Sequence, residues 1–229
     1  MIKRKLIVPK KKSISINYGE SKIYTINNSI YKEFKDNISL ATRRRKKERL
    51  KYLEQFEYLK QYYPEIEYFI EYFIGWYIKG YIMKEVKTKR LNSSSINYKD
   101  KINLLIQIRE ILALFKSIGL MYYDIHLGNI CCNQNNLPIF FDIDSILQID
   151  EKIPDINPQG FAYYEGYGGQ LDDKFQRIKF NILVKDILLS HKEITYDKIG
   201  QEMINYQLNV YSPKSLFANE ELLEHILKK

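Results

Sequence analysis

Polar and apolar positions alternate through Ser13-Ile14-Ser15-Ile16-Asn17-Tyr18, the period-two pattern of a half-buried strand. Gly19-Glu20-Ser21 reads as a turn, Lys22 to Ile26 as a second strand, Asn27-Asn28 as a tight turn, and Ser29 to Phe34 as a third strand. The chain is therefore expected to open on a three-stranded antiparallel meander. The spacing then becomes helical. Tyr52, Phe56 and Leu59 recur along a helix predicted from about Ser39 to Tyr62, with Pro64 closing it. Two strand-like runs follow, Glu65 to Ile74 and Trp76 to Val86, with bends expected at Gly75 and Gly80. Residues 87–100 are polar and read as a linker. Beyond them Leu104, Leu105, Ile108, Ile111, Leu112 and Phe115 form a regular apolar stripe that Gly119 is placed to cap. Lys174 to Ser190 reads as helical, and shorter helices are expected over Tyr196 to Gln207 and Asn219 to Lys228.

Chemistry-bearing residues gather after the long stripe. Met121-Tyr122-Tyr123-Asp124-Ile125-His126-Leu127-Gly128-Asn129-Ile130 is followed by Pro138-Ile139-Phe140-Phe141-Asp142-Ile143-Asp144, so two carboxylates and an amide emerge between short apolar runs. Phosphoryl transfer uses such a set: one carboxylate orients the acceptor hydroxyl and takes its proton, while an Asn and a second carboxylate hold the magnesium that bridges the phosphates. Asn129 follows Asp124 by 5 positions, and Asp142 follows Asn129 by 13.

In these spacings the sequence resembles the catalytic and metal-binding loops of the protein-kinase-like superfamily. Asp-Ile-His-Leu-Gly-Asn is most similar to the Asp-Leu-His-x-Gly-Asn of aminoglycoside and choline-type phosphotransferases, and Gly19-Glu20-Ser21-Lys22-Ile23-Tyr24 resembles the phosphate-covering turn of those enzymes and of the small atypical kinases of RIO and KEOPS type. The resemblance implies a two-lobed α+β fold. Its N-lobe (1–86, with a basic arm 1–12) would be a five-stranded antiparallel sheet with one helix, and its C-lobe (87–229) mainly helical and carrying both loops. It also implies roles. Asp124 would be the catalytic carboxylate, and Asn129 and Asp142 the magnesium ligands. Lys32 sits where the third strand carries the lysine that holds the α- and β-phosphates. Glu48 sits where the next helix would supply its ion-pair partner, with Lys35 and Glu54 as second choices.

Gly19, Ser21 and Ile23 lie in a run that resembles the phosphate-covering turn, without the full G-x-G-x-x-G. Met83, Glu85 and Val86 end the fifth strand where the family hinge meets adenine. His126 would brace the catalytic loop or touch the γ-phosphate, and Asp144 would take a second-metal or structural role. Asn157 to Glu165 resembles the end of an activation segment, and Asp173 the aspartate that braces the catalytic loop. Tyr122-Tyr123 stands where the family has His-Arg or His-Gly.

The expected activity is ATP- and Mg²⁺-dependent transfer of the γ-phosphate to a hydroxyl. Only about 14 residues separate Val86 from the long helix, which leaves little material to enclose a small molecule. A protein acceptor, hence a minimal atypical Ser/Thr kinase, is therefore the first expectation. A small-molecule kinase is the alternative, and a pseudokinase acting as a binding or scaffold module is the second alternative.

Composition narrows the setting. At 229 residues, 45% hydrophobic and 28% charged, the chain is long enough for one sizeable domain or two small lobes. The formal charge of +8 is concentrated in residues 3–12 and 43–49, which would attract nucleic acid, an anionic membrane or an acidic partner, or form a frayed arm and a solvated helix face. Tyr68 to Met83 is the most apolar stretch, but Glu71 and Lys79 interrupt it, so no transmembrane segment is expected. Adjacent Cys131 and Cys132 offer neither a disulfide framework nor zinc spacing, and a cytoplasmic setting is expected.

Overall fold

A computed structural model describes residues 3–5, 13–16, 20–72 and 76–149, together with Gln176, Lys179, Phe180, Leu183, Val184, Asp186 and Ile187. The protein is mixed α+β with antiparallel sheets. The described residues divide into two compact units: the first holds those up to Lys87 and Ile143–Ser145, the second holds Thr88–Asp142 and those from Ile146 onward.

The first unit is built on a six-stranded sheet in the order β1-β5-β6-β4-β3-β2, where β1 is Lys3–Lys5, β2 Ser13–Ile16, β3 Ser21–Ile26, β4 Ser29–Phe34, β5 Ile66–Tyr72 and β6 Tyr77–Lys84. The two Asn between β3 and β4 form the expected tight turn, and Asn27 takes the left-handed conformation (φ 54) that asparagine tolerates. Strands β2 to β6 pair antiparallel, and one helix lies between β4 and β5. Five strands are too few, however. Residues 3–5 of the expected basic arm form a sixth strand, pairing parallel with Tyr68, Phe69 and Ile70.

Cross-strand partners point to the same face of a sheet. The register pairs Ile23 with Lys32, Ser21 with Phe34, Lys32 with Tyr81 and Ile30 with Met83, so all of these share one face. The opposite face carries the apolar cluster of Tyr24, Tyr31, Ile70 and Ile82, with Ile26 and Tyr68 packed on it. Gly80 stands where the register of β6 with β5 shifts, a local irregularity in place of a full bend. It lies within β6, where a Cβ would stand 2.0 Å from the Lys32 carbonyl oxygen, so only glycine lets β4 and β6 approach.

The helix α1 (Leu40–Leu53) starts at Ser39, whose hydroxyl caps the Thr42 N–H, and gives way to a 3₁₀ turn at Glu57–Tyr62. It is thus shorter than the pattern predicts, and its inward face is not the Tyr52 stripe. The buried residues are Arg43, Lys46, Lys47, Leu50 and Leu53, whereas Tyr52 is exposed. Three cations of the run read as a solvated face therefore point inward, each with partners. Arg43 donates to the carbonyls of Lys35, Ile38 and Ile78 and lies over the Tyr77 ring at 4.7 Å. Lys47 pairs with buried Glu71 at 2.7 Å.

In the second unit α2 (Tyr98–Ser117) buries Leu104, Leu105, Ile108, Ile111, Leu112 and Phe115, the stripe read from the sequence. Gly119 follows it with φ 78, the left-handed conformation of a helix end. Residues 88–90, expected as linker, form strand β7 (Thr88–Arg90) against β9 (Ile130–Asn133), which pairs in turn with β10 (Pro138–Phe140). A second small pair joins β8 (Leu120–Met121) to β11 (Leu147–Gln148). The expected mainly helical lobe is corrected accordingly. Here α2 stands beside five short strands, with helical backbone also at the seven described residues between 176 and 187. The readings for 157–165, Asp173, 196–207 and 219–228 lie outside the described residues, as do Gly19 and Gly75. Among the described residues no helix is long and apolar enough to cross a membrane.

Candidate functional site

The chemistry-bearing residues of the second unit are placed by a hairpin. Ile130 pairs with Phe140, and at the open end of the ladder the Phe141 N–H donates to the Asn129 carbonyl at 2.7 Å. Buried Tyr122 holds the other side of the same residue, its hydroxyl donating to the Phe141 carbonyl at 2.5 Å. Phe141 is thus fixed through both its N–H and its C=O. Asp142 follows at φ 54, a left-handed conformation that costs about 1–3 kcal/mol in a non-glycine residue and is concentrated at functional sites. Asn129 and Asp142 therefore leave the hairpin at the same end.

Between β8 and β9 the loop is tied on itself. The Asn129 Nδ2 donates to Asp124 Oδ2 at 2.7 Å and to its carbonyl at 3.2 Å. His126 Nε2 stands 3.5 Å from Asp124 Oδ1, while the Gly128 N–H donates to His126 Nδ1 at 3.0 Å. An Nδ1 that accepts leaves the proton on Nε2, facing the carboxylate. Burial pushes the Asp124 carboxyl up, but the bond and charge of His126, the charge of Lys179 and the amide of Asn129 outweigh it and hold it below the ordinary value. Asp124 is accordingly a held, ionised carboxylate at neutral pH.

Asn129 spends its N–H donors on Asp124, and its Oδ1 has no hydrogen-bond partner among the described residues. Asn129 and Asp142 leave the hairpin at the same end, and an amide oxygen and a carboxylate are hard donors of the kind magnesium takes, one or two from protein with phosphates and water completing its shell. No three His, Cys, Asp or Glu side chains gather as a ligand group among the described residues. The donor set is thus one amide and one carboxylate.

In the first unit the expected partnership of Lys32 is corrected. Glu48 sits on the outer face of α1, 66% exposed, and pairs with Lys51. Lys32 instead donates to Asp144 Oδ1, which also accepts from the Tyr81 hydroxyl at 2.6 Å. The other oxygen of Asp144 receives Lys46 at 3.0 Å, and Lys46 reaches Glu20 at 2.9 Å. Burial would raise the Asp144 carboxyl, but the two lysines and the Tyr81 hydroxyl hold it well below the usual range. Second-choice Lys35 and Glu54 lie elsewhere: Lys35 gives its carbonyl to Arg43, and burial raises the Glu54 carboxyl.

Of the other candidates, Ser21, Ile23 and Met83 share the sheet face of Lys32, and the Ser21 Oγ is buried without a hydrogen-bond partner among the described residues. The Glu85 N–H is used by the Asn28 carbonyl at 3.0 Å, and half-buried Val86 follows it. Sequence reasoning missed Lys46, Tyr81, Tyr122 and Lys179 as site residues. Lys46 was hidden in a run of like charges, where only the burial of every third or fourth position separates inward from outward. Comparison with protein-family models gives no match, and a search of curated proteins gives none.

Proposed function

We propose that the protein is an ATP- and Mg²⁺-dependent phosphotransferase acting on a hydroxyl acceptor, in the manner of a minimal atypical protein kinase. The observation that carries this reading is Asp124, held ionised by His126 and Asn129 in a loop whose Asn129 leaves the hairpin at the same end as Asp142. In this reading Asp124 orients the acceptor hydroxyl and takes its proton on a carboxylate oxygen as the acceptor oxygen bonds to the γ-phosphorus and the bond from that phosphorus to the β–γ bridging oxygen breaks, ADP leaving with that oxygen. Asn129 and Asp142 hold magnesium, which when bound neutralises phosphate charge. In the first unit Lys32 faces the phosphates, Ser21, Ile23 and Met83 supply the sheet face for the nucleotide, and Glu85 and Val86 the adenine edge.

The test is phosphate transfer from labelled ATP with Mg²⁺ to protein acceptors, with small-molecule alcohols as a second arm. Transfer that disappears in Asp124→Asn is the expected result. Calorimetry showing no heat with millimolar MgATP would sink the reading. The outward position of Glu48 favours one second reading, a nucleotide-binding module without turnover, which would bind MgATP and transfer nothing to either acceptor class.

A further inference from the structure

Helix α1 brings Lys46, where the resemblance implies a glutamate on this helix, to the same Asp144 carboxylate that Lys32 holds. Lys46 lies 2.9 Å from a Glu20 oxygen and 3.0 Å from Asp144 Oδ2, and its side chain is only 7% exposed. The two carboxylates differ. Asp144 is 1% exposed and held by Lys32 and the Tyr81 hydroxyl, and Lys46 reaches its main-chain carbonyl as well. Glu20 is 21% exposed, sits at the turn before β3, and meets the cluster through Lys46. One anion is thus built in, and the other approaches from the solvent side.

We propose that Lys46 and Lys32 form an anion subsite for the phosphates of the nucleotide, and that Glu20 is its displaceable occupant. The nucleotide as ligand rests on the phosphotransferase reading; the anion subsite rests on the cluster itself. A nearly buried ammonium needs a counter-charge, and a phosphate oxygen makes the same charge-assisted bond as the Glu20 carboxylate with more charge behind it. The Ser21 hydroxyl, next in the chain and buried without a partner among the described residues, is a donor available at the same turn. Because side chains supply part of the neutralising charge, phosphate binding has a component that needs no divalent cation.

Calorimetry in EDTA tests this with two probes, inorganic pyrophosphate and ATP, on the unmodified chain, Glu20→Gln and Lys46→Met. Removing the competing carboxylate should tighten both probes about three- to fivefold, the scale of a partly exposed ion pair. Lys46→Met should weaken both about tenfold or more. The two changes act in opposite directions, so damage to the fold cannot imitate the pattern, and Glu20→Gln decides alone if Lys46→Met does not fold. Affinity unchanged or weakened in Glu20→Gln overturns the inference. Binding only with Mg²⁺, with Asp124-dependent transfer intact, overturns it while leaving the phosphotransferase reading standing. Pyrophosphate binding without ATP binding supports the subsite and removes the nucleotide from it.

Discussion

At Gly128 an added Cβ would stand 2.8 Å from His126 Cε1 and 2.9 Å from Nδ1, so a methyl there must displace the imidazole that holds Asp124. Gly128→Ala should cut transfer about tenfold or more and move the acid limb of the pH–rate profile upward, because Asp124 loses a group that holds its pKa down. A separate pair of substitutions divides the roles of the two aspartates. On the proposed phosphotransferase reading, Asp124→Asn should leave MgATP affinity nearly unchanged while transfer falls about 10²-fold or more, and Asp142→Asn should lose both. Equal loss of binding in the two would reverse their assignment. Asp124 and Asp144 also make the stability of the fold depend on pH. Both titrate below the ordinary aspartate value of about 3.9 when folded, so the folded chain binds fewer protons than the unfolded one in that range. Their contribution is full above about pH 5 and is lost as pH falls through the folded values. Urea midpoints should drop from pH 7 to pH 3, and less steeply in Asp144→Asn.

Among the elements, the inward face of α2 was legible and that of α1 was not, although both helices were, and the reason is what each face meets. Leu104, Ile108, Ile111 and Phe115 bury against apolar neighbours, so periodicity alone finds their face. Arg43, Lys46 and Lys47 turn inward because carbonyls and carboxylates far along the chain, Ile78, Asp144 and Glu71, satisfy them. Nothing within the helix announces those partners. The same cause hid the partner of Lys32: Asp144 lies 112 residues away, whereas Glu48 stands at a familiar spacing and faces solvent. The Asp124–Asn129 spacing was legible because the loop closes on itself within a few residues. Arg43→Ala strands three carbonyls and should cost about 3–5 kcal/mol in urea unfolding, while Arg44→Ala on the exposed face should stay within about 0.5 kcal/mol. Similar losses from both would place Arg43 outside the core.

For the molecule as a whole, burial of three cations shrinks the basic surface that the charge of +8 suggests, and any acidic partner must be met by what remains exposed, Arg44 and Arg45 among it. The sixth strand has a different kind of consequence. Residues 3–5 cover the outer side of β5, whose Tyr68, Phe69 and Ile70 would otherwise end the sheet. An uncovered strand with unpaired N–H and C=O groups is a template for another chain. Shortening the protein by its first five residues should therefore turn a well-behaved preparation into one that associates as it is concentrated, visible by light scattering, with the chemistry of Asp124 untouched. In handling terms the first strand is a guard against self-pairing, and a purification tag is better carried elsewhere than on the residues that close that edge.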